Sequence, residues 1–187
     1  SQKMLNAYKE MQLTYLDNIF NTVGGENIDV IQMADDMAGQ ENMLISPVSY
    51  RKYLKPLHKE MFDFIKARSS AKIFFHSCGA IRPVIGDLID AGVDIINPVQ
   101  ISAADMDPFE LKQEFGKDIT FWGGGIDTQR AFDDKHTVDE VRDNVRRNLE
   151  ALMPGGGFVF NTIHNIQGNT PTANILAMFR AIRDSSQ

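Results

Sequence analysis

Short apolar runs alternate with longer helical patterns along this 187-residue chain. A helical stretch from about Leu5 to Val23 is closed by Gly24-Gly25, as glycine most easily takes the left-handed turn at a helix end. Ile28 to Ala34 reads as a buried strand running into Asp35-Asp36. Ser46-Pro47 opens the next helix, serine as cap and proline at the first helical position. Pro56 interrupts or kinks that helix, which continues to about Arg68. The second strand is Lys72 to His76, followed by a helix from about Ile81 to Ala91 that Gly92 ends. Val93 to Pro98 forms the third strand, and Asp107-Pro108-Phe109-Glu110 caps a short helix to Phe115. Ile119 to Trp122 is the fourth strand, leading into Gly123-Gly124-Gly125. Thr137 to Glu140 is a capping box opening a helix to about Met153, with Pro154 to Gly157 as a connector on the opposite face. Phe158 to Ile163 is the fifth strand, and Thr170-Pro171 opens the last helix.

Strand and helix thus alternate five times without a hairpin signal, which predicts parallel strands joined by crossover helices. Polar and glycine-rich residues gather at the strand C-terminal ends: Asp35-Asp36, His76 to Cys78, Asn97 to Gln100, Gly123 to Asp127 and Asn161 to His164. In a (β/α) barrel that face carries function. A closed eight-stranded barrel takes about 250 residues, so five units make either an open α/β sheet or the C-terminal part of a barrel. Residues 1–187 read as one domain, with no internal linker, repeat or low-complexity segment.

Composition narrows the classes. A formal charge of -6 and the lack of a Lys/Arg block argue against nucleic-acid binding. The basic residues of Val141 to Asn148 alternate with acids and read as a solvated helix face. No apolar run reaches the roughly 18 residues of a membrane span, and a single cysteine excludes an internal disulfide. We expect a cytoplasmic protein.

The candidate chemistry begins with His76-Ser77-Cys78. Residues two apart on a strand share a face, so an imidazole and a thiol there suit one metal ion, zinc above all. The alternative is a small buried thiol beside a hydrogen-bonded histidine. His164, just past the last strand, is the expected third ligand or an acid/base, with a structural histidine as the alternative. Adjacent carboxylates diverge, so one of Asp35 and Asp36 faces the mouth, to take a proton, orient a ligand or cap the turn. Gly124 allows close backbone approach to a ligand or makes a tight turn, and Asp127 binds ligand or caps Thr128-Gln129. His58 and His136 are expected to face solvent, and the nine methionines to fill the core.

Taken together these residues resemble the C-terminal half of the uroporphyrinogen decarboxylase (URO-D) superfamily. The carriers are Asp35 to Gln40, Ile45 to Arg51, Lys55-Pro56, His76 to Gly79, Ala91 to Pro98, Phe121 to Asp127, Gly155 to Asn161 and Thr170 to Asn174. The resemblance implies a (β/α)8 TIM barrel with its site at the strand C-terminal ends and strands one to three absent from this chain. It leaves the edge strand Ile28 to Ala34 to be covered by a partner, and we expect a homodimer.

Two chemistries occur in that superfamily. One removes carboxyl groups from a tetrapyrrole without a cofactor, and its barrel-end histidine corresponds to His164. The other moves methyl groups to or from a corrinoid protein and binds zinc through His-x-Cys and a later cysteine. His76 and Cys78 match that pair, and His164 stands in place of the later cysteine. The favoured expectation is a zinc-dependent methyltransferase-like enzyme with His76, Cys78 and His164 as ligands and Asp35 or Asp36 positioning substrate. Gln40, Asn97, Gln100, Gly124, Asp127 and Asn161 are the expected substrate contacts. The alternatives are tetrapyrrole decarboxylation and a non-catalytic tetrapyrrole- or corrinoid-binding fragment. The isolated chain is expected to be inactive.

Overall fold

The computed structural model describes residues 2–185. Its centre is one parallel sheet in the order β1-β2-β3-β4-β5, formed by β1 (Val30–Ala34), β2 (Lys72–His76), β3 (Ile95–Asn97), β4 (Thr120–Trp122) and β5 (Phe158–Val159). Each strand pairs with the next in sequence, so the sheet winds in one direction and its crossover helices share one face. The helices are α1 (Gln2–Val23), α2 (Pro47–Ser49), α3 (Lys55–Arg68), α4 (Arg82–Ala91), α5 (Pro108–Phe115), α6 (Val138–Leu152) and α7 (Thr172–Asp184).

Local signals in the chain explain most of these bounds. Ser46 Oγ accepts from Ser49 N, and Asp107 accepts from Phe109 N and Glu110 N. The Thr137/Glu140 capping box closes in both directions, and Gly92 ends α4 at φ 118°. Between α2 and α3 the helix widens into a π turn, Tyr50–Leu54, where a kink at Pro56 was expected. Proline has no N–H for the carbonyl four residues back and its ring presses on that carbonyl, so one wide turn relieves both.

The sheet's two faces differ. Ile73, Phe75, Ile96 and Phe121 point to the helix layer and join Met61, Phe62, Ile65, Val84 and Leu88 in the main core. A second cluster joins Ile126 and Phe132 to Val141, Val145 and Leu149 of α6 and Ala177, Met178 and Ala181 of α7. Residues of opposite parity, including Val30, Gln32, Phe74 and Trp122, are only partly covered. Phe74 and Trp122 meet edge to face at 5.4 Å on that side. This is the arrangement of a barrel wall, with helices outside and an inner face that further strands would enclose. Among the described residues β1 and β5 are sheet edges. An apolar groove of about 370 Å³ runs beside β1, lined by Tyr15, Leu16, Ile19 and Val30 to Met33. No helix among the described residues is long and apolar enough to cross a membrane.

Candidate metal centre

β2 ends on the inner face at His76, and the chain turns so that Cys78 returns to the same side. His76 Nε2 and Cys78 Sγ are 3.5 Å apart. The third member comes from the residues after β1. Asp36 Oδ1 accepts from Cys78 N at 2.9 Å and lies 4.0 Å from His76 Nε2. One donor atom from each of Asp36, His76 and Cys78 lies within 4.8 Å of the other two. The register explains the meeting: Ala34 pairs with His76, so Asp36 and Cys78 leave adjacent strand ends with equal parity.

The imidazole is held in one orientation. His76 Nδ1 lies 2.6 Å from Asn97 Oδ1, and Asn97 Nδ2 donates to the Trp122 carbonyl at 2.7 Å. Since that amide nitrogen must donate to Trp122, Asn97 presents its oxygen to the ring, and His76 carries its proton on Nδ1. Nε2 is then a bare lone pair directed toward Cys78 and Asp36. This is the arrangement in which metal-ligating histidines are held.

The thiol is not activated by itself. Burial, and after it the charge and hydrogen bonding of Asp36, push the Cys78 thiol above its ordinary range. Nucleophilic cysteines have the opposite environment. A divalent cation would reverse the balance, because it favours the thiolate and makes the neighbouring carboxylate an asset.

The surrounding loops are tied to this cluster. Gly79 sits at φ 87°, and a side chain there would run into the carbonyls of Ala38 and Gly39. Gln100 Oε1 accepts from Gly79 N at 2.8 Å, and Met37 N donates to Ser77 Oγ at 3.3 Å. Val99, just before Gln100, is itself in the left-handed region at φ 57°. A β-branched residue there is strained by roughly 1–3 kcal/mol, and the turn it makes carries Gln100 into the core.

The sequence model of the uroporphyrinogen decarboxylase (URO-D) family matches residues 1–185. The chain belongs to the URO-D family. A uroporphyrinogen decarboxylase from Synechococcus sp. (strain JA-2-3B'a(2-13)) is 26% identical over 174 residues, which are 90% of this chain and 44% of that protein. A second, from Synechococcus sp. (strain JA-3-3Ab), is 24% identical over 84% of this chain and 40% of its own length. The chain therefore spans less than half the length of the curated relatives it matches. Among solved structures, a methyltransferase from Methanosarcina mazei aligns with a TM-score of 0.68 at 21% identity. The alignment covers 96% of this chain and 48% of that one, and the likeness is one of fold. The five parallel β/α units are thus part of a URO-D-type barrel.

Within this URO-D barrel wall, the residues singled out from the sequence fall into three groups. Asp36, His76 and Cys78 come together, and Asn97 stands directly behind His76. His164 does not join them: the expected third member of the group is replaced by Asp36, and His164 lies half-buried in the loop after β5. Phe158 pairs with Phe121 and so faces the helix layer, and residue 164 has the same parity as Phe158. Past Val159 the bonding to β4 also slips, through Gly125 N to Asn161 O and Ile163 N to Ile126 O, and His164 lies in the loop beyond it.

The remaining residues serve the frame or face solvent. Gln100 and Asp127 are buried. Asp127 Oδ1 caps the following turn by accepting from Gln129 N and Arg130 N. A side chain at Gly124, which sits at φ 71°, would press on Val99 and Leu152. Gln40 and Asn161 are exposed, each with its backbone carbonyl bonded to a neighbouring loop. Two expectations are corrected. His58 is buried against Tyr50, Phe62 and Phe75 and bonds Asp35, and His136 is partly buried with Nδ1 2.6 Å from Asp133 Oδ1. A hollow of about 680 Å³ lined by Arg51, Arg82, Asp87 and Glu114 lies on the helix layer, away from the cluster.

Proposed function

We propose that this chain carries the metal-binding half of a URO-D family enzyme of the methyltransferase type, with zinc held by Asp36, His76 and Cys78. The donor set fits such an ion: a thiol, an imidazole with its lone pair free, and a carboxylate. Two ligands about 2.1 and 2.3 Å from one tetrahedral zinc ion are themselves about 3.5 Å apart, which is the Cys78 Sγ to His76 Nε2 separation. The observation that carries the reading is the Asn97 bond that turns His76 Nε2 toward this cluster.

Three protein donors leave a coordination position for a substrate, as catalytic rather than structural zinc sites do. Zinc bound there would supply the positive charge that holds a thiol as its thiolate at neutral pH, the form that accepts a methyl group. The chain's own residues orient the donors. Asn97 keeps the Nδ1 proton on His76, Asp36 grips the Cys78 backbone, and Phe74 and Trp122 form an apolar floor below. A corrinoid protein is the proposed methyl donor, and His164 sits on a loop at the same end of the sheet, where it is proposed to meet substrate.

The test is metal analysis of the full-length protein, followed by methylation of a thiol from a methylated corrinoid protein. Near-stoichiometric zinc, lost in Cys78→Ala, supports the reading. A metal-free protein that turns over nonetheless would sink it. The second reading is decarboxylation of uroporphyrinogen, favoured by the names of both Synechococcus relatives. It predicts chelator-resistant loss of carboxyl groups from that substrate, abolished by His164→Ala.

A further inference from the structure

Asp35 and Asp36 leave β1 on opposite sides. Asp36 joins the metal-binding cluster, whereas Asp35 turns to the helix layer, where its Oδ2 lies 3.2 Å from His58 Nε2. His58 belongs to α3 and is 4% exposed, and its Nδ1 is 3.3 Å from the Tyr50 hydroxyl. Phe62 stacks on the ring at 5.6 Å and Phe75 meets it edge-on at 5.2 Å. Tyr50 is fully buried and begins the π turn.

An imidazole inside such an aromatic cage is costly unless both nitrogens are satisfied. A carboxylate only accepts, so Nε2 carries the proton and donates to Asp35, leaving Nδ1 to accept from the Tyr50 hydroxyl. His58 and His76 thus hold opposite tautomers, each fixed by its partner. β1 has no neighbour on its outer side among the described residues, and edge strand ends are loosely held. Ties come from β2 and the turn after it: Asp35 N donates to His76 O at 3.0 Å, Asp36 Oδ1 accepts from Cys78 N, and Met37 N donates to Ser77 Oγ. His58 supplies the tie from the helix layer.

We propose that His58 is a positioning residue for the metal-binding group. By holding Asp35 against the helix layer, it fixes the peptide that aims Asp36 at His76 and Cys78, and Tyr50 selects the tautomer that makes this bond. The inference rests on the metal reading above and extends it to residues that touch neither metal nor substrate.

Cobalt(II) titration of the full chain tests it, following the thiolate-to-cobalt charge-transfer band in the near ultraviolet and the ligand-field bands in the visible. His58→Phe keeps an aromatic ring in the cage and removes both hydrogen bonds. It is expected to weaken cobalt binding by about ten- to a hundredfold, with the charge-transfer band retained and the ligand-field bands altered as in Asp36→Asn. His58→Gln, which still donates to Asp35, is expected to recover most of the affinity. Asp35→Ala, outside the core, should reproduce the loss even where His58→Phe folds poorly, and Asp35→Asn, which keeps an acceptor, should not. Thermal melting in chelator reports the fold separately. Wild-type affinity and spectra in both His58→Phe and Asp35→Ala overturn the proposal, as does an equal loss in Asp35→Asn and Asp35→Ala, which would make charge the cause. A wild-type chain without cobalt binding, or a charge-transfer band surviving Cys78→Ala, refutes the metal reading itself, and the positioning role falls with it.

Discussion

Asn97 Oδ1 lies 2.6 Å from His76 Nδ1, and this one hydrogen bond decides which nitrogen of His76 faces the neighbouring thiol. Without it the ring could rotate or take the other tautomer, and Cys78 and Asp36 would have no third donor. Asn97→Ala is therefore expected to weaken zinc or cobalt binding by about ten- to a hundredfold, read by competition with a chromophoric chelator. Unchanged affinity would show that the ring is oriented by something else.

The Cys78 thiol has a pH signature. Burial and Asp36 both raise its pKa, so the metal-free thiolate population is small at neutral pH and grows as pH rises. Alkylation by iodoacetamide should follow a midpoint above that of a free cysteine. Asp36→Asn removes the anion's share of the shift, lowers the midpoint and speeds the reaction at neutral pH. Bound zinc should suppress the reaction throughout. A midpoint at or below that of free cysteine would contradict this account.

Gly79 is the point where the loop carrying Asp36 passes over the loop carrying Cys78. Its positive φ and its closeness to the Ala38 and Gly39 carbonyls leave no room for a side chain. Gly79→Ala is expected to cost about 1–3 kcal/mol in urea unfolding, as a lower midpoint with an unchanged slope. Metal binding should fall with it, because the two loops must separate.

Asp87 ties the helix layer together through Arg51 at 2.7 Å and Lys55 at 2.7 Å. Burial alone would raise its carboxyl, but the bonds and charges of Lys55 and Arg51 outweigh burial and hold it below the ordinary range. A depressed carboxylate stabilises the fold above its unfolded pKa and loses that contribution as the pH falls through the folded one. Asp87→Asn should then cost about 1–2 kcal/mol at neutral pH. The gap to wild type should close as the pH drops below about 4. A gap that persists in acid would assign the loss to packing.

The strands and helices were legible because their signals are local. The Thr137/Glu140 capping box, the Ser46 and Asp107 caps and the glycine after α4 act within a turn of the helix, and each stands where the pattern predicts. Strand lengths were less legible. β3 and β5 are shorter than their apolar runs, because a run records burial whereas a strand also needs a partner in register. His164 shares the parity of Phe158, which pairs with Phe121 on the helix side, so the strand does not present it beside His76 and Cys78.

For the cluster, strand alternation placed His76 and Cys78 on one face from the sequence alone. It also implied that only one of Asp35 and Asp36 would join them. Which one could not be read, because the parity of β1 relative to β2 depends on a register set by packing. His58 was misplaced at the surface for a related reason. Its helix phase follows a π turn, and its partners Asp35 and Phe75 come from two separate strands.

The sequence by itself determined a one-directional β/α order, the clustering of polar residues at strand C-terminal ends, and a histidine and thiol sharing a face, all through interactions spanning a few residues. Only the tertiary structure decided that Asp36 is their companion, that Asn97 sets the tautomer of His76, and that Asp35 belongs to a buried histidine and tyrosine. Those choices join residues 21 to 42 positions apart, and they depend on strand register and helix packing, which no local pattern encodes.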